Sequence, residues 1–365
     1  MKIINILLTK ANGGLEQVFI DYCIILQDLG HQILSIIDNQ APYSKTLEEN
    51  NINIIKITNK FGFFDLAAID NIARIIEEFN ADIIFSHAGR SQHLVKMAIK
   101  KLTKDKNSKK LFHIAVNHSN KVKRSIGADM IFSVNKRIFY NTIDAGQPEN
   151  RSFVIHNAIR IDDADLSPIK VNLSQKSLIK IGVIGRLEYS KGFDNMIMCL
   201  EILTKEWTKN KFMLKIAGAG PEKENLISIT KTYDIDEKNI EFCGWIDNKK
   251  SFFEDIDIFV LPSRSETFGL VILEAMKYRK PVISTRCDGP LEIINHMENG
   301  ILTDHNNENN SPYSLFLAIK SILDDDELAT KIVNNASQKL QKRFSYQILK
   351  RNLGYFVGDK SKLSN

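Results

Sequence analysis

The sequence lacks the features of disulfide-rich, zinc-binding and membrane-spanning proteins. Its four cysteines lie far apart in 365 residues, with no C-x-x-C pair and no histidine at a ligand spacing. This excludes a disulfide framework or a zinc cluster and favours a reducing cytoplasm. No run approaches about 18 apolar residues, so we expect no membrane-spanning helix. The start, MKIINILLTK, has too short an apolar run for a signal peptide, and we therefore expect a cytoplasmic protein.

The composition, 43% hydrophobic and 25% charged, is that of a globular protein, and the length predicts two domains. The net charge of +5 is unevenly distributed: eleven Lys and Arg stand against one acid between Arg90 and Arg124. Residues 90–124 are either a solvated helix face with its loop or a patch for an anionic membrane surface or a phosphate-bearing acceptor. The membrane interpretation would make the protein peripheral at the inner face of the cell membrane. A nucleic-acid partner is not expected, because interleaved aromatic residues are missing.

Short apolar runs alternate with amphipathic segments such as 15–29 and 66–79, which predicts parallel strands covered by helices on both faces. The polar segment 161–177 interrupts this pattern and is interpreted as a linker, after which the pattern restarts. We therefore expect an α/β protein with one Rossmann-like domain over 1–165 and a second over 166–345. The last segment, 346–365, is expected to be a helix that returns to the first domain.

Two loops at strand ends hold groups that could bind phosphate. Gly13 and Gly14 follow the first strand and precede a helix, whose N–H groups favour an anion, although a plain tight turn explains them equally well. Arg186 and Lys191 follow the first strand of the second domain and offer a planar fork and a point charge. Two solvated surface cations are the alternative, but their place at the carboxyl end of a parallel strand favours ligand binding.

The stretch LPSRSETFGLVILEAM (261–276) predicts the end of a strand over 256–262, an exit loop and a helix over 270–278. Glu266 would lie in the loop, and Glu274 on the helix about a turn and a half in. A carboxylate beside a phosphate site is costly unless it binds hydroxyls. Two such acids, with the N–H groups of Phe268 and Gly269 at the helix start, therefore predict a nucleotide-sugar site.

The order of the motifs resembles that of the retaining glycosyltransferases of family four, the group 1 type. The motifs over residues 178–302 are GRLEYSKG (185–192), AGAGP (217–221), FCGW (242–245), DIDIFVLPS (255–263), E-x(7)-E (266–274) and PVIST (281–285). GGLE (13–16), VNHS (116–119) and IHNAI (155–159) extend the resemblance more loosely to the first domain. The resemblance implies the GT-B fold, two Rossmann-like domains facing across a cleft, with the acceptor on the first and the donor on the second.

The resemblance also implies a role for each candidate residue. The positions that match catalytic residues of the family are Arg186, Lys191, Glu266 and His118. The positions that match its donor-binding residues are Gly13, Gly14, Trp245, Ile246, Phe268, Gly269 and Glu274. The two cations would neutralise the leaving diphosphate, the loop glutamate and the histidine would contact the donor sugar, and the helix glutamate would bind the ribose diol.

Some positions depart from the family or allow another interpretation. Without the resemblance, His118 would be interpreted as a buried histidine at a strand end. Ala158 stands where the family usually has glycine. CDGPLE (287–292) replaces the commoner G-G-x-x-E, which puts the donor-sugar contacts of that loop in question.

The predicted activity is metal-independent, retaining transfer of a hexose from a nucleotide sugar to a glycan or lipid-linked acceptor, in lipopolysaccharide or capsule synthesis. No cofactor is expected, and a UDP-sugar is favoured over a GDP-sugar as donor. No first-domain carboxylate is evident as a nucleophile, which favours attack on the same face over double displacement. The alternatives are a nucleotide-sugar epimerase of the same fold and a non-catalytic nucleotide-sugar-binding or glycan-binding protein.

Overall fold

The computed structural model describes residues 1–103, 111–161, 167–246, 248–304 and 311–358. Its contacts divide the chain into two units. The first unit consists of residues 1–158 with the helix that begins at Tyr346, and the second consists of residues 159–345. The division after Ala158 falls a few residues before the expected boundary at 165.

A parallel sheet forms the centre of the first unit, because its strands are apolar on both faces. Ile4, Ile84 and Ile114, on three of the strands, are completely buried. Among the described residues the strands are β1 (Lys2–Leu7), β2 (Gln32–Asp38), β3 (Asn53–Ile57), β4 (Ile83–His87), β5 (Phe112–Asn117), β6 (Met130–Ser133) and β7 (Ser152–Val154). Their order across the sheet is β3-β2-β1-β4-β5-β6-β7, with parallel pairing throughout. The helices between them are α1 (Gly14–Asp28), α2 (Ser44–Glu49), α3 (Leu66–Phe79), α4 (Ala88–Leu102) and α5 (Lys136–Asp144).

The second unit repeats this architecture with the sheet order β10-β9-β8-β11-β12-β13, again parallel. Its described strands are β8 (Leu178–Ile184), β9 (Lys211–Ala217), β10 (Ile240–Gly244), β11 (Ile258–Leu261), β12 (Val282–Thr285) and β13 (Ile301–Thr303). Its described helices are α6 (Phe193–Glu206), α7 (Lys223–Thr232), α8 (Lys249–Asp255), α9 (Leu270–Lys277), α10 (Asp288–Ile293), α11 (Ser311–Asp324) and α12 (Asp326–Phe344). The predicted α/β class with two parallel sheets is confirmed.

The predicted linker is in part a packed strap. The side chains of Val171 and Leu173 are buried in the core of the second unit. Their backbone N–H groups donate to Thr330 Oγ1 (3.0 Å) and Asp326 Oδ1 (2.8 Å) of α12. Part of the predicted linker is therefore packed on the second unit, and these bonds satisfy backbone groups that would otherwise be buried without partners. Residues 162–166 of the predicted linker lie outside the described residues.

The end of the chain is helical, as predicted, and its last described helix, α13 (Tyr346–Val357), belongs to the first unit. The hydroxyl of Tyr346 donates to Asp21 on α1, and Phe356 packs against Phe132 and Phe153 with ring centroids 4.9 and 4.5 Å apart. None of the described helices is long and apolar enough to cross a membrane.

Candidate active site

The loops at the carboxyl edge of the second sheet are pressed together by close backbone approaches. Gly192 has φ of +65°, and a Cβ there would lie 2.0 Å from the carbonyl oxygen of Pro262. Only glycine allows both the left-handed conformation and this contact. The loop after β8, which includes the single 3-10 turn Tyr189–Lys191, is thereby held against the end of β11.

This approach brings Lys191 to Glu266. Their Nζ and Oε2 atoms lie 2.7 Å apart, and the side chains are 19% and 14% exposed. The second oxygen of Glu266 lies 3.5 Å from the backbone nitrogen of Phe268, just before α9. A cation, a carboxylate and a helix start thus share one largely buried position, where charges interact more strongly than in water.

Arg264 is a charged group of this site that the sequence analysis missed. Its guanidinium donates to both carboxylate oxygens of Asp194 at 2.8 and 2.6 Å and lies 4.0 Å from the ring centroid of Tyr189. Its backbone N–H donates to the carbonyl of Ser190 at 2.8 Å. Arg264 therefore positions the loop that carries Lys191. The sequence did offer a signal, since Arg264 stands two residues before Glu266 in the predicted exit loop. Arg side chains favour bidentate pairs with carboxylates, which indicates a structural ion pair at such a position.

Glu274 lies on α9, where the sequence places it, and has one oxygen paired and one left over. Oε1 accepts from Lys249 Nζ at 2.7 Å. Oε2 is buried and has no hydrogen-bond partner among the described residues. A buried carboxylate oxygen without a partner is costly, and a ligand hydroxyl would satisfy it.

Arg186 is the most exposed of the candidate charges. Its guanidinium pairs with Glu188 at 3.0 Å, and its side chain is 65% exposed. The preceding residue, Gly185, lies beside the aliphatic part of Lys191, which is 3.9 Å from where a Cβ would stand. Arg186 thus lies in the same loop as Lys191 and pairs with Glu188.

The segment 287–292, expected to be a loop, lies largely in α10 and keeps a glycine contact despite its departure from the family pattern. The N–H of Gly289 donates to the carbonyl of Glu266 at 2.9 Å, and a Cβ on Gly289 would lie 2.3 Å from Phe268 Cα. Gly269, with φ of +89°, caps α9. The backbone around Glu266 and Phe268 is therefore held from both sides.

Trp245 and Ile246 follow β10 at the same edge of the sheet. Trp245 is 52% exposed. Ile246 lines an open pocket of about 320 Å³ together with Lys215, Glu241 and Asp255. Lys215 Nζ pairs with both acids, at 3.0 and 2.6 Å, so its charge is already neutralised.

In the first unit, Gly13 and Gly14 lie exposed at the start of α1, and the anion contact there stays a prediction. Gly13 is the N-cap, with extended backbone. Glu16 is buried nearby, with Oε2 3.5 Å from where a Cβ on Gly13 would stand. Its negative charge opposes part of the attraction that the helix start exerts on an anion.

His118 follows β5 and forms a pair with His87 at the end of β4. His118 Nε2 lies 3.0 Å from His87 Nδ1, and the rings are stacked with an interplanar angle of 22°. Burial lowers the pKa of His118 to about 3. Burial, and to a lesser extent the charge of His118, holds the pKa of His87 well below its ordinary value. Both rings are neutral at pH 7, so His118 can exchange hydrogen bonds with a hydroxyl but supplies no charge.

The described cations of 90–124 are distributed along α4 and over the segment after β5. Arg90 lies at the start of α4 and Lys100 near its end, about 15 Å apart along the axis. Lys101 pairs with Asp70 at 2.6 Å, whereas Arg124 covers the ring of Phe63 at 3.4 Å. Residues 104–110 of the stretch, with four of its lysines, lie outside the described residues.

Residues 168–339 match the family model for group 1 glycosyl transferases, and this segment covers nearly all of the second unit. Over this segment the chain resembles the group 1 glycosyltransferases. The chain is similar over both units to curated proteins. An uncharacterised glycosyltransferase of Haemophilus influenzae is 26% identical over 303 residues, which cover 81% of this chain and 83% of the relative. The lipopolysaccharide core biosynthesis glycosyltransferase LpsD of Rhizobium meliloti is 22% identical over 336 residues, 92% of each chain.

The fold of the chain is also that of solved structures. HepE of Anabaena, solved in complex with UDP, aligns with a TM-score of 0.81 at 19% identity, covering 98% of this chain and all of its own. The predicted resemblance to glycosyltransferases of the GT-B fold is thereby confirmed.

Proposed function

We propose that this chain is a glycosyltransferase that transfers a hexose from a UDP-sugar to a glycan or lipid-linked acceptor, with retention of configuration, in the assembly of a bacterial surface polysaccharide. The observation that carries the proposal is the charge arrangement around α9. Lys191 and Glu266 pair at the helix start, and one turn further Glu274 holds a buried oxygen without a protein partner. Glu266 suits the sugar, Lys191 the diphosphate and Glu274 the ribose, in that order along the ligand.

The chemical step follows from the position of the cations. The bond between the sugar C1 and the diphosphate oxygen breaks, and negative charge develops on the leaving phosphate. The ammonium of Lys191 and the N–H groups of Phe268 and Gly269 stabilise that charge, and Arg186 reaches it from the same loop. The acceptor oxygen attacks C1 from the face that the phosphate leaves, and its proton passes to the leaving phosphate oxygen.

Glu266 and Glu274 bind hydroxyls in this proposal. When the donor binds, its sugar hydroxyls donate to Glu266 and its phosphate accepts from Lys191. Two contacts with the ligand then replace the ion pair between Lys191 and Glu266. Lys249 holds Glu274 Oε1 and thereby leaves Oε2 for the ribose diol. His118 keeps, in this proposal, the donor-sugar role that the resemblance implies, and Trp245 and Ile246 keep that of base binding.

The comparisons support the donor and the pathway class. HepE was solved with UDP and with UDP-glucose, and LpsD is named for lipopolysaccharide core biosynthesis. Metal independence is part of the proposal, because Lys191 and the start of α9 supply the positive charge that the leaving group needs. The basic stretch 90–124 supports, in the same proposal, a peripheral location on an anionic membrane.

Donor binding tests the proposal first. UDP-, GDP- and ADP-sugars are screened by thermal shift, because a donor that binds the folded state raises the melting temperature. We expect a UDP-sugar to give the largest shift, with or without EDTA. A shift that needs a divalent metal, or one confined to GDP-sugars, contradicts this part.

Turnover tests the assigned charges. Lys191→Ala and Arg186→Ala should each lower turnover by about a hundredfold or more, whereas Lys205→Ala, at an exposed lysine of α6, should not. Near-normal turnover of both site variants would show that the site is assigned wrongly. Release of UDP without any acceptor would favour a hydrolase, and interconversion of the donor sugar would favour an epimerase. The anomer of the product, determined by NMR, decides between retention and inversion.

A further inference from the structure

The segment between β3 and α3, together with the first residue of α3, exposes large apolar side chains. Phe61, Phe64 and Leu66 are 74%, 84% and 74% exposed, the highest values among the large apolar residues of the described chain. Single exposed apolar residues are ordinary, but three within six positions form a patch that marks an interaction surface. We call residues 61–66 the apolar loop.

The apolar loop is held in shape by its own polar contacts. The buried carboxylate of Asp65 accepts from the N–H groups of Lys60 (2.7 Å), Phe61 (3.2 Å) and Ala68 (3.0 Å). The ring of Phe63 points inward, covered by the Arg124 guanidinium at 3.4 Å. The ring of Phe63 is therefore packed, whereas Phe61 and Phe64 stay exposed on a backbone that the hydrogen bonds of Asp65 fix.

The surroundings of the apolar loop are positively charged. Lys60, the residue before it, is exposed, and the contact of Arg124 with Phe63 brings the exposed Lys121 and Lys123 to the same end of the first unit. Asp65 is the sole acid in 58–66, and it is buried and occupied by backbone N–H groups; 119–124 contains none. An apolar tip thus lies within a group of cations.

We propose that the apolar loop inserts Phe61, Phe64 and Leu66 into the headgroup region of an anionic membrane, while the neighbouring lysines contact lipid phosphates. The combination of an apolar face and flanking cations is what membrane-surface binding requires. A second copy of the chain fits poorly, because the same cations would face each other across such an interface. Binding then has an apolar part that salt does not screen, unlike attachment through 90–124 by charge alone.

The test compares the triple variant Phe61→Gln, Phe64→Gln, Leu66→Gln with the control Leu317→Gln. Leu317 lies on α11 of the second unit and is 48% exposed. Partitioning of the full-length protein is measured with phosphatidylcholine vesicles that contain or lack phosphatidylglycerol. We expect the triple variant to lose about tenfold or more of its affinity for the anionic vesicles, and the control to bind like the unchanged protein.

A second variant reports insertion directly. Phe64→Trp should show a blue shift in emission with anionic vesicles, and quenching by brominated lipid, relative to the protein with its two native tryptophans. An unmoved emission, or unchanged vesicle binding of the triple variant, overturns the proposal. Equal binding to neutral vesicles overturns the role of the lysines, and a vesicle-independent change of mass in light scattering would indicate self-association instead. UDP-sugar binding is measured in parallel, so that a failure of the membrane proposal can be distinguished from a failure of the proposed glycosyltransferase function.

Discussion

The ion pair between Lys191 and Glu266 allows stability and catalysis to be separated. Removing one partner of a buried pair costs about 3–5 kcal/mol, because the other charge stays buried and unpaired. Since these side chains are 19% and 14% exposed, we discount that cost and expect Lys191→Met and Glu266→Gln each to lose about 2–3 kcal/mol. The double variant leaves no unpaired charge and should recover most of the loss.

Thermal unfolding and turnover are measured on all three variants. At about 2–4 °C per kcal/mol for a unit of this size, the single variants should melt roughly 5–10 °C lower and the double variant close to the unchanged protein. Turnover should stay low in all three. Lys191 no longer neutralises the leaving phosphate in two of them, and in Glu266→Gln the carboxylate that binds the donor-sugar hydroxyls is lost. The exposed pair of Lys205 and Glu201 on α6, 2.6 Å apart, is the control and should hardly matter for either measurement. Additive melting losses in the double variant would refute the coupling.

Three further outcomes are expected. Glu274→Gln should weaken UDP binding, measured by calorimetry, about tenfold, since an NH₂ group replaces the acceptor oxygen Oε2 that has no protein partner among the described residues. Lys249→Met should weaken it less. Unchanged UDP affinity in Glu274→Gln would show that the ribose diol does not bind there. Gly192→Ala should lower the yield of folded protein or the melting temperature, because its Cβ would lie 2.0 Å from the Pro262 carbonyl oxygen, and a normal melting curve would contradict the packing. Burial lowers the pKa of His113 to about 3, below its unfolded value of about 6.5. The contribution of the neutral ring to the free energy of unfolding is therefore intact above pH 6.5. It is lost as the pH falls towards 3, by about 1.4 kcal/mol per pH unit. Urea unfolding of His113→Gln between pH 7 and 5 should therefore show a flatter pH dependence, and an unchanged slope would count against it.

The sequence by itself determined the architecture and the loops that could carry chemistry. Apolar runs such as KIINILLT (2–9) and LIKIGVIG (178–185) need cover on both faces, so alternating with amphipathic helices they can form little else than parallel sheets. The carboxyl ends of parallel strands share one edge, so the candidate status of Lys191, Glu266 and Glu274 followed from their place along the chain. A strand as short as β13 cannot be predicted from its own three residues, Ile301, Leu302 and Thr303, because they become a strand only through their pairing with β12.

The tertiary structure alone decided which groups meet. Glu266 pairs with Lys191 and Arg264 with Asp194 across 75 and 70 residues of chain, and no local pattern encodes those partners. They meet because the backbone at Gly192 lies against the end of β11, an approach that depends on the packing of the whole unit. Likewise, Val171 looks like part of a polar linker in sequence. Only the tertiary structure shows that Val171 is buried, because the hydrogen-bond partner of its backbone N–H, Thr330, lies on the distant helix α12.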